Sequence, residues 1–127
     1  MAGGTDLLPS MRRRQQVPPT LIGLSRVDDL RTITPGVANG EPLTIGAGVT
    51  LTELVRNSRI RESYGALWQA ASQVATPHLR NMGTLGGNLC LDTRRNYYDQ
   101  NYEWRKAVEF CLKTDGASCW APTSSSN

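Results

Sequence analysis

The sequence predicts a mixed α+β chain, and three observations carry that reading. Two glycine clusters lie about eighty residues apart, Ala2-Gly3-Gly4-Thr5-Asp6-Leu7-Leu8 and Gly83-Thr84-Leu85-Gly86-Gly87-Asn88-Leu89, and each reads as a tight turn leading into regular structure. Arg31-Thr32-Ile33-Thr34 and Leu43-Thr44-Ile45-Gly46-Ala47 read as the strands of a hairpin, with Pro35-Gly36 and Asn39-Gly40 in the connection. Leu67, Ala70, Ala71 and Val74 recur at i, i+3, i+4 and i+7, which predicts a helix from about Ala66 to Ala75.

The remaining elements follow in chain order. Thr5 or Asp6 is placed to cap a short helix through Met11, with Pro9 tolerated in its first turn. Arg12-Arg13-Arg14 then fall near its C-terminal end, where cations oppose the helix dipole favourably. Pro18-Pro19 break the chain, and Thr20-Leu21-Ile22-Gly23-Leu24 reads as a short strand. Ser25 caps a single turn over Val27-Asp28-Asp29-Leu30. Thr50-Leu51-Thr52-Glu53 has the form of a capping box, because a Glu three residues after Thr can reach back to the free backbone N–H. It opens a helix whose inner face is Leu51, Leu54 and Val55. Pro77 ends the helix that starts at Ala66. Beyond Asn96 an aromatic, polar stretch leads into a helical face of Trp104, Ala107, Val108, Cys111 and Leu112, stopped at Asp115-Gly116. The small polar tail from Ala121 to Asn127 reads as disordered.

Composition narrows the function classes. The chain has 127 residues, enough for one ordinary domain. Mean hydropathy is -0.40 and hydrophobic residues make up 39%, so the core must be small. With one Phe, that core rests on Leu, Val, Ile, Ala and the three Trp. No apolar run is long enough for a membrane span. Met1-Ala2-Gly3-Gly4 has neither the basic nor the apolar region of a secretory signal, so a cytoplasmic location is expected. Three cysteines, an odd number, argue against a disulfide framework.

A net charge of +3 suits an anionic cofactor without itself arguing for nucleic acid. Arg12 to Arg14 have no neighbouring aromatic residue to stack on a base, so they read as a solvated helix end and no nucleic-acid partner is expected. The lone His78 has no Ser or Cys nucleophile beside it, which favours a positioning or core role over general-base chemistry. Adjacent glycines let main-chain N–H groups converge on an anion without a Cβ in the way. Either cluster alone is equally an ordinary turn, but two suggest a ligand with two linked phosphates held from both sides.

Three segments in order, Ala2 to Pro9, Leu43 to Thr50 and Val74 to Leu89, resemble the FAD-binding medium subunit of the molybdenum hydroxylases, the xanthine dehydrogenase and carbon monoxide dehydrogenase group. Cys90-Leu91-Asp92-Thr93-Arg94, and Tyr97 to Gln100 through Trp104-Arg105-Lys106, further resemble the β subunit of 4-hydroxybenzoyl-CoA reductase. The resemblance implies a partial FAD-binding domain of the PCMH type. Residues 1–58 would close the first α/β subdomain. Residues 59–92 would start the second, 93–120 would be the remnant of an iron–sulfur insertion, and 121–127 a tail. It implies that FAD is gripped at its pyrophosphate by Ala2, Gly3, Gly4, Thr5, Asp6 and Leu7 from one loop and by Thr84, Gly86, Gly87 and Asn88 from the other, with Asp92 as a ribityl or ribose partner. No side chain is given a catalytic role, since the isoalloxazine ring carries the electrons. Ile45 to Thr50 is expected to be structural.

The same resemblance bears on metal. In the 4-hydroxybenzoyl-CoA reductase β subunit the insertion holds a [4Fe–4S] cluster on four cysteines. Cys111 and Cys119 match two of them, Arg95 stands in place of a third, and the fourth would fall just past Asn127. Two thiolates do not hold a four-iron cluster, so no metal is expected on this chain alone. Cys90 is expected to be a small buried residue. The implied partners are a molybdopterin-containing large subunit and a [2Fe–2S] small subunit. Family members are longer at both ends, so the chain reads as a piece of a subunit, inactive alone, with an open sheet edge that invites homo-oligomer formation. The alternative is a small non-enzymatic protein that self-associates or binds a nucleotide without redox activity.

Overall fold

The computed structural model describes residues 1–34, 42–92 and 94–120. They divide into two compact units, Met1–Leu91 and Asp92–Asn127. The expected connection at Pro35-Gly36 and Asn39-Gly40, Thr93 and the polar tail from Ala121 lie outside the described residues.

In the first unit the chain opens on α1, Leu7–Arg12. Asp6 stands at its N-cap without making the side-chain capping bond expected there. Arg14 closes the helix in the left-handed region (φ 56°), and Gln15 N–H reaches Ser10 O at 3.0 Å. A non-glycine residue pays about 1 kcal/mol for that conformation. The segment Thr20 to Leu24 is not a strand. Among the described residues its ladder is limited to Met1, whose amine donates to Ile22 O and whose carbonyl accepts from Leu24 N–H at 2.9 Å. A strand needs a neighbour along its whole length, and here one residue runs beside it, leaving Ile22 exposed. A 3-10 turn, Asp28–Arg31, follows, with Val27 rather than Ser25 at its N-cap.

The hairpin forms as expected but shorter. Ile33–Thr34 (β1) pairs antiparallel with Thr44–Ile45 (β2), with Ile33 opposite Ile45 and Thr34 opposite Thr44. Pairing continues past the strand ends through Gly46 N–H to Thr32 O at 2.8 Å and Gly48 N–H to Leu30 O at 2.6 Å. Glycine is required at position 46, since a Cβ there would stand 2.3 Å from Leu30 O.

Leu51–Arg56 (α2) opens on a complete capping box: Thr50 Oγ1 accepts from Glu53 N–H at 3.2 Å, and the Glu53 carboxylate accepts from Thr50 N–H at 2.7 Å. Leu51 and Leu54 are buried and Val55 half-buried, the inner face the spacing predicts. Ser58–Ser63 (α3) was not anticipated, although Asn57 caps it through Ile60 N–H and Ile60 is fully buried. Gly65–Gln73 (α4) buries Ala71 and half-buries Leu67 and Trp68, while Ala70 is exposed, contrary to the expected face. The Trp68 indole N–H donates to Val55 O at 3.0 Å and so ties α4 to α2. Pro77 does not merely end a helix. It occupies the first turn of α5, Pro77–Arg80, capped by Thr76. The second glycine cluster enters α6, Leu85–Leu89, capped by Thr84. The core is Val49, Leu51, Leu54, Ile60 and Ala71, lined by Ile45, Val55, Leu67 and Trp68 among others.

The second unit holds α7, Tyr102–Ala107, capped by Asn101 through Trp104 N–H at 2.9 Å. The longer helical face expected through Leu112 does not form. Glu109 and Phe110 both take left-handed conformations (φ 60° each), and Phe110 N–H closes on Arg105 O at 2.7 Å. The helix therefore ends well before Asp115-Gly116. Gly116 instead lets the chain pass against the Phe110 backbone, where a Cβ would meet Phe110 O at 2.5 Å. Trp120 Nε1–H donates to that same Phe110 carbonyl at 2.8 Å.

Candidate functional site

The two glycine clusters meet in the first unit. Thr50 and Thr84 form an antiparallel bridge, with Leu51 N–H on Gly83 O at 2.9 Å and Leu85 N–H on Val49 O at 2.8 Å. That bridge fixes α6 beside the Ala47-Gly48 turn. A Cβ on Gly86 would stand 2.6 Å from the Ala47 Cβ. The first cluster packs against the approach to the second. A Cβ on Gly3 would fall 1.7 Å from Met82 O, inside any allowed contact. The glycines are thus required where backbones touch, a reason separate from phosphate binding.

Between them lies a cavity of about 480 Å³, within the range of small-molecule sites. Ala2 and Gly3 from the first cluster, and Thr84, Gly86 and Gly87 from the second, line it. Gly4, Thr5, Asp6, Leu7 and Asn88 do not reach its wall. Asp92 belongs to the second unit, where its carboxylate accepts from the Tyr98 hydroxyl at 2.6 Å. The rest of the wall comes from residues expected from the sequence to have structural roles and no part in the site. Leu24 and Ser25 precede the 3-10 turn, and Leu30 and Arg31 lie in it. Ala47, Gly48 and Thr50 come from the stretch expected to be structural, and Asn81 and Met82 from the turn after α5. The Asn81 amide oxygen is held by the Thr52 hydroxyl at 2.8 Å. Cys90 also lines the cavity and is exposed, not buried as expected. His78 lies exposed on α5, outside the core and the cavity wall.

Donor supply differs between the two clusters. Leu85, Gly86 and Gly87 N–H groups are taken up by Val49 O, Ala47 O and Thr84 Oγ1 at 2.8, 2.9 and 3.1 Å. Asn88 N–H is held by Thr84 O at 2.9 Å. These four amides are spent internally, while the Thr84 N–H, on a residue of the cavity wall, has no hydrogen-bond partner among the described residues. In the first cluster the Gly3, Gly4 and Thr5 amides have no hydrogen-bond partner among the described residues. Arg31 is the one charged residue of the lining among the described residues. Nearby, Glu53 is held below its ordinary value of 4.5, first by the Thr50 backbone N–H, then by the Thr50 hydroxyl, with Arg31 adding a smaller pull.

In the second unit Tyr98 is raised above 10.0, chiefly because its hydroxyl donates to the Asp92 carboxylate. Cys111 is buried, with its sulfur 3.9 Å from the Thr114 hydroxyl, and Cys119 is exposed. Arg95 is exposed, and its carbonyl accepts from Tyr98 and Asp99 N–H at 2.9 and 2.8 Å.

The geometry defines a class: an α+β domain in which two glycine turns wall an apolar cavity that carries, among the described residues, a single cation. The comparisons specify it. The chain belongs to the family of FAD-binding domains in molybdopterin dehydrogenases, whose family model matches residues 1–100. It is 38% identical over 89 residues to the nicotinate dehydrogenase FAD-subunit of Eubacterium barkeri, covering 70% of this chain and 29% of that one. It is 36% identical over 126 residues to the aldehyde oxidoreductase FAD-binding subunit PaoB of Escherichia coli (strain K12), covering 93% of this chain and 37% of that one. Among solved structures, carbon monoxide dehydrogenase from Hydrogenophaga pseudoflava superposes with a TM-score of 0.64 at 35% identity, over 70% of this chain and 30% of that chain. The chain thus spans about a third of the length of the curated relatives it matches. Among the described residues, no helix is long and apolar enough to cross a membrane.

Proposed function

We propose that this chain is the FAD-binding portion of an electron-transferring flavoprotein subunit in a molybdenum-containing oxidoreductase. The observation that carries the reading is the cavity itself, walled jointly by Ala2-Gly3 and by Thr84, Gly86 and Gly87. FAD is a pair of flat ring systems joined by an anionic diphosphate, and the residues present suit it. Unpaired amides stand at Gly3 and in the turn behind it, one cation lies in the wall, and Leu24, Leu30, Ala47 and Met82 supply apolar surface. The bound flavin would supply the redox chemistry, and the chain's residues would bind and orient it.

The partners in this reading are a molybdopterin-containing large subunit and a [2Fe–2S] small subunit. Cys90 to Asp92 and the tyrosine-rich stretch support an aromatic acyl-CoA reductase like 4-hydroxybenzoyl-CoA reductase as the parent. The PaoB alignment covers 93% of the chain and so takes in residues of the second unit as well as the first. The donor set of the second unit does not fit a [4Fe–4S] cluster. Cys111 and Cys119 are its two thiols and Arg95 stands where a third ligand would, whereas such a cluster takes four protein ligands.

The test is a titration of the purified chain with FAD, following quenching of flavin fluorescence, with sulfate as the unrelated anion. Saturable quenching that ADP competes away and sulfate does not is the expected result. No quenching at any FAD concentration refutes cofactor binding by this chain.

A further inference from the structure

We infer that Cys111 and Cys119 form a redox-active dithiol that closes to a disulfide, in place of the four-thiolate site that the donors of the second unit do not complete. Two contacts set the cysteines against each other. Leu112 N–H donates to Ser118 O at 2.9 Å, and Trp120 Nε1–H donates to Phe110 O at 2.8 Å. Residues 110–112 therefore run beside 118–120 in the opposite direction, and Cys111 falls opposite Cys119 between the two contacts. Residues opposed in this way have Cα atoms about 4.5–5.5 Å apart, inside the range of about 4.4–6.8 Å that a disulfide spans. The turn that joins them is held from within. The Cys111 carbonyl accepts from Thr114 N–H at 2.8 Å, from the Thr114 hydroxyl at 3.0 Å and from Gly116 N–H at 3.1 Å. A Cβ on Gly116 would stand 2.5 Å from Phe110 O and 2.8 Å from Cys111 N, so the turn lies directly on residues 110 and 111. All of these residues belong to the second unit, so the pairing holds whether or not the first unit takes FAD.

Exposure divides the chemistry between the two sulfurs. Cys119 is exposed and Cys111 is buried. Cys119, as thiolate, attacks a low-molecular-weight disulfide such as oxidised glutathione, forms a mixed disulfide and releases one small thiol. Cys111 gives its proton to solvent and attacks the Cys119 sulfur, expelling the second small thiolate, which takes up a proton. In all, two protein thiols lose two electrons and two protons, and the small disulfide becomes two thiols. The contact given up at Cys111 is slight, since its sulfur lies 3.9 Å from the Thr114 hydroxyl. Cys90 is the one cysteine within Met1–Leu91 and serves as the internal control.

The experiment equilibrates the full chain in glutathione buffers from reduced to oxidised, quenches exchange with acid, alkylates the remaining thiols and digests with trypsin. Cleavage after Lys113 puts Cys111 and Cys119 on separate peptides. In oxidised glutathione these peptides should appear joined, two hydrogens lighter than their sum, and excess reduced glutathione should return both as alkylated thiols. Cys111→Ser should accumulate glutathione on Cys119, as the order of attack requires. In urea, where the opposed segments separate, the linkage should need a more oxidising ratio. Alkylated Cys111 and Cys119 at every ratio overturn the dithiol, as does glutathione held separately on both or a linkage of either to Cys90. Absence of glutathione from Cys119 in Cys111→Ser overturns the order of attack, and an unchanged ratio in urea overturns the role of the fold in setting the pair.

Discussion

Replacing Gly86 by Ala sets two physical effects against each other. Gly86 lies in the first turn of α6, where Ala should gain up to about 1 kcal/mol from helix propensity alone. The tertiary contact opposes this. The new Cβ would stand 2.6 Å from the Ala47 Cβ, 2.9 Å from its carbonyl oxygen and 3.1 Å from its Cα. None of these is the movable end of a long side chain, so the Ala47-Gly48 turn must retreat by roughly 0.8 Å to reach ordinary contact. Forcing a methyl into such a space costs about 1–3 kcal/mol. The same retreat stretches the Gly86 N–H bond to Ala47 O, now 2.9 Å, worth about 1 kcal/mol more. The net expectation is a loss of about 2 kcal/mol, a fall in Tm of roughly 10 °C for a unit of this size. Gly65→Ala is the matched control. Gly65 opens α4 with nothing within 4 Å of a built Cβ, so propensity alone acts and stability should rise. Urea melts followed by circular dichroism give both values, provided the m-value is unchanged. If Gly86→Ala proves as stable as Gly65→Ala, the close approach that shapes the cavity is not there, and the placement of α6 beside Ala47 is wrong.

Two further predictions concern titrating groups. Thr50→Ala removes the capping box and should cost about 1 kcal/mol at neutral pH, read as a lower urea midpoint. Because Glu53 is depressed in the folded chain, its contribution is present above 4.5 and is lost as pH falls through the lower folded value. In Thr50→Ala the acid limb of the stability profile should flatten, and an unchanged limb would refute the assignment. Tyr98 is raised, so its contribution is complete below about 10 and lost as pH climbs through the higher folded value. The difference in phenolate absorbance between wild type and Tyr98→Phe should titrate above an ordinary tyrosine. In Asp92→Asn that midpoint should drop back, and a midpoint indifferent to Asp92 would show that the 2.6 Å bond is not what raises it.

The membership of the chain and several of its elements were legible in the residues. The glycine clusters, the Thr50–Glu53 box, the Leu51–Leu54 face and the hairpin that holds Ile33–Thr34 and Thr44–Ile45 all depend on neighbours a few residues away or on a short connection. Such signals survive reading in one dimension. Even α3 was within reach, since Asn57 before a buried Ile60 is an ordinary capping pattern.

What the sequence by itself determined is where the backbone must lack a Cβ and where helices must begin, because those demands are set by local geometry. Tertiary structure alone decided which hydrogen-bonding groups were left over. Gly86 and Gly87 read as phosphate donors until Ala47 and Thr84 were found to hold their N–H groups. Thr20 to Leu24 read as a strand until Met1 alone, among the described residues, was found alongside it. Arg31 read as the edge of a hairpin until the Gly48 turn set it in the cavity wall. In each case the deciding partner is distant in sequence or depends on how the chain folds back, and an unspent donor or charge is defined only once every such partner is known.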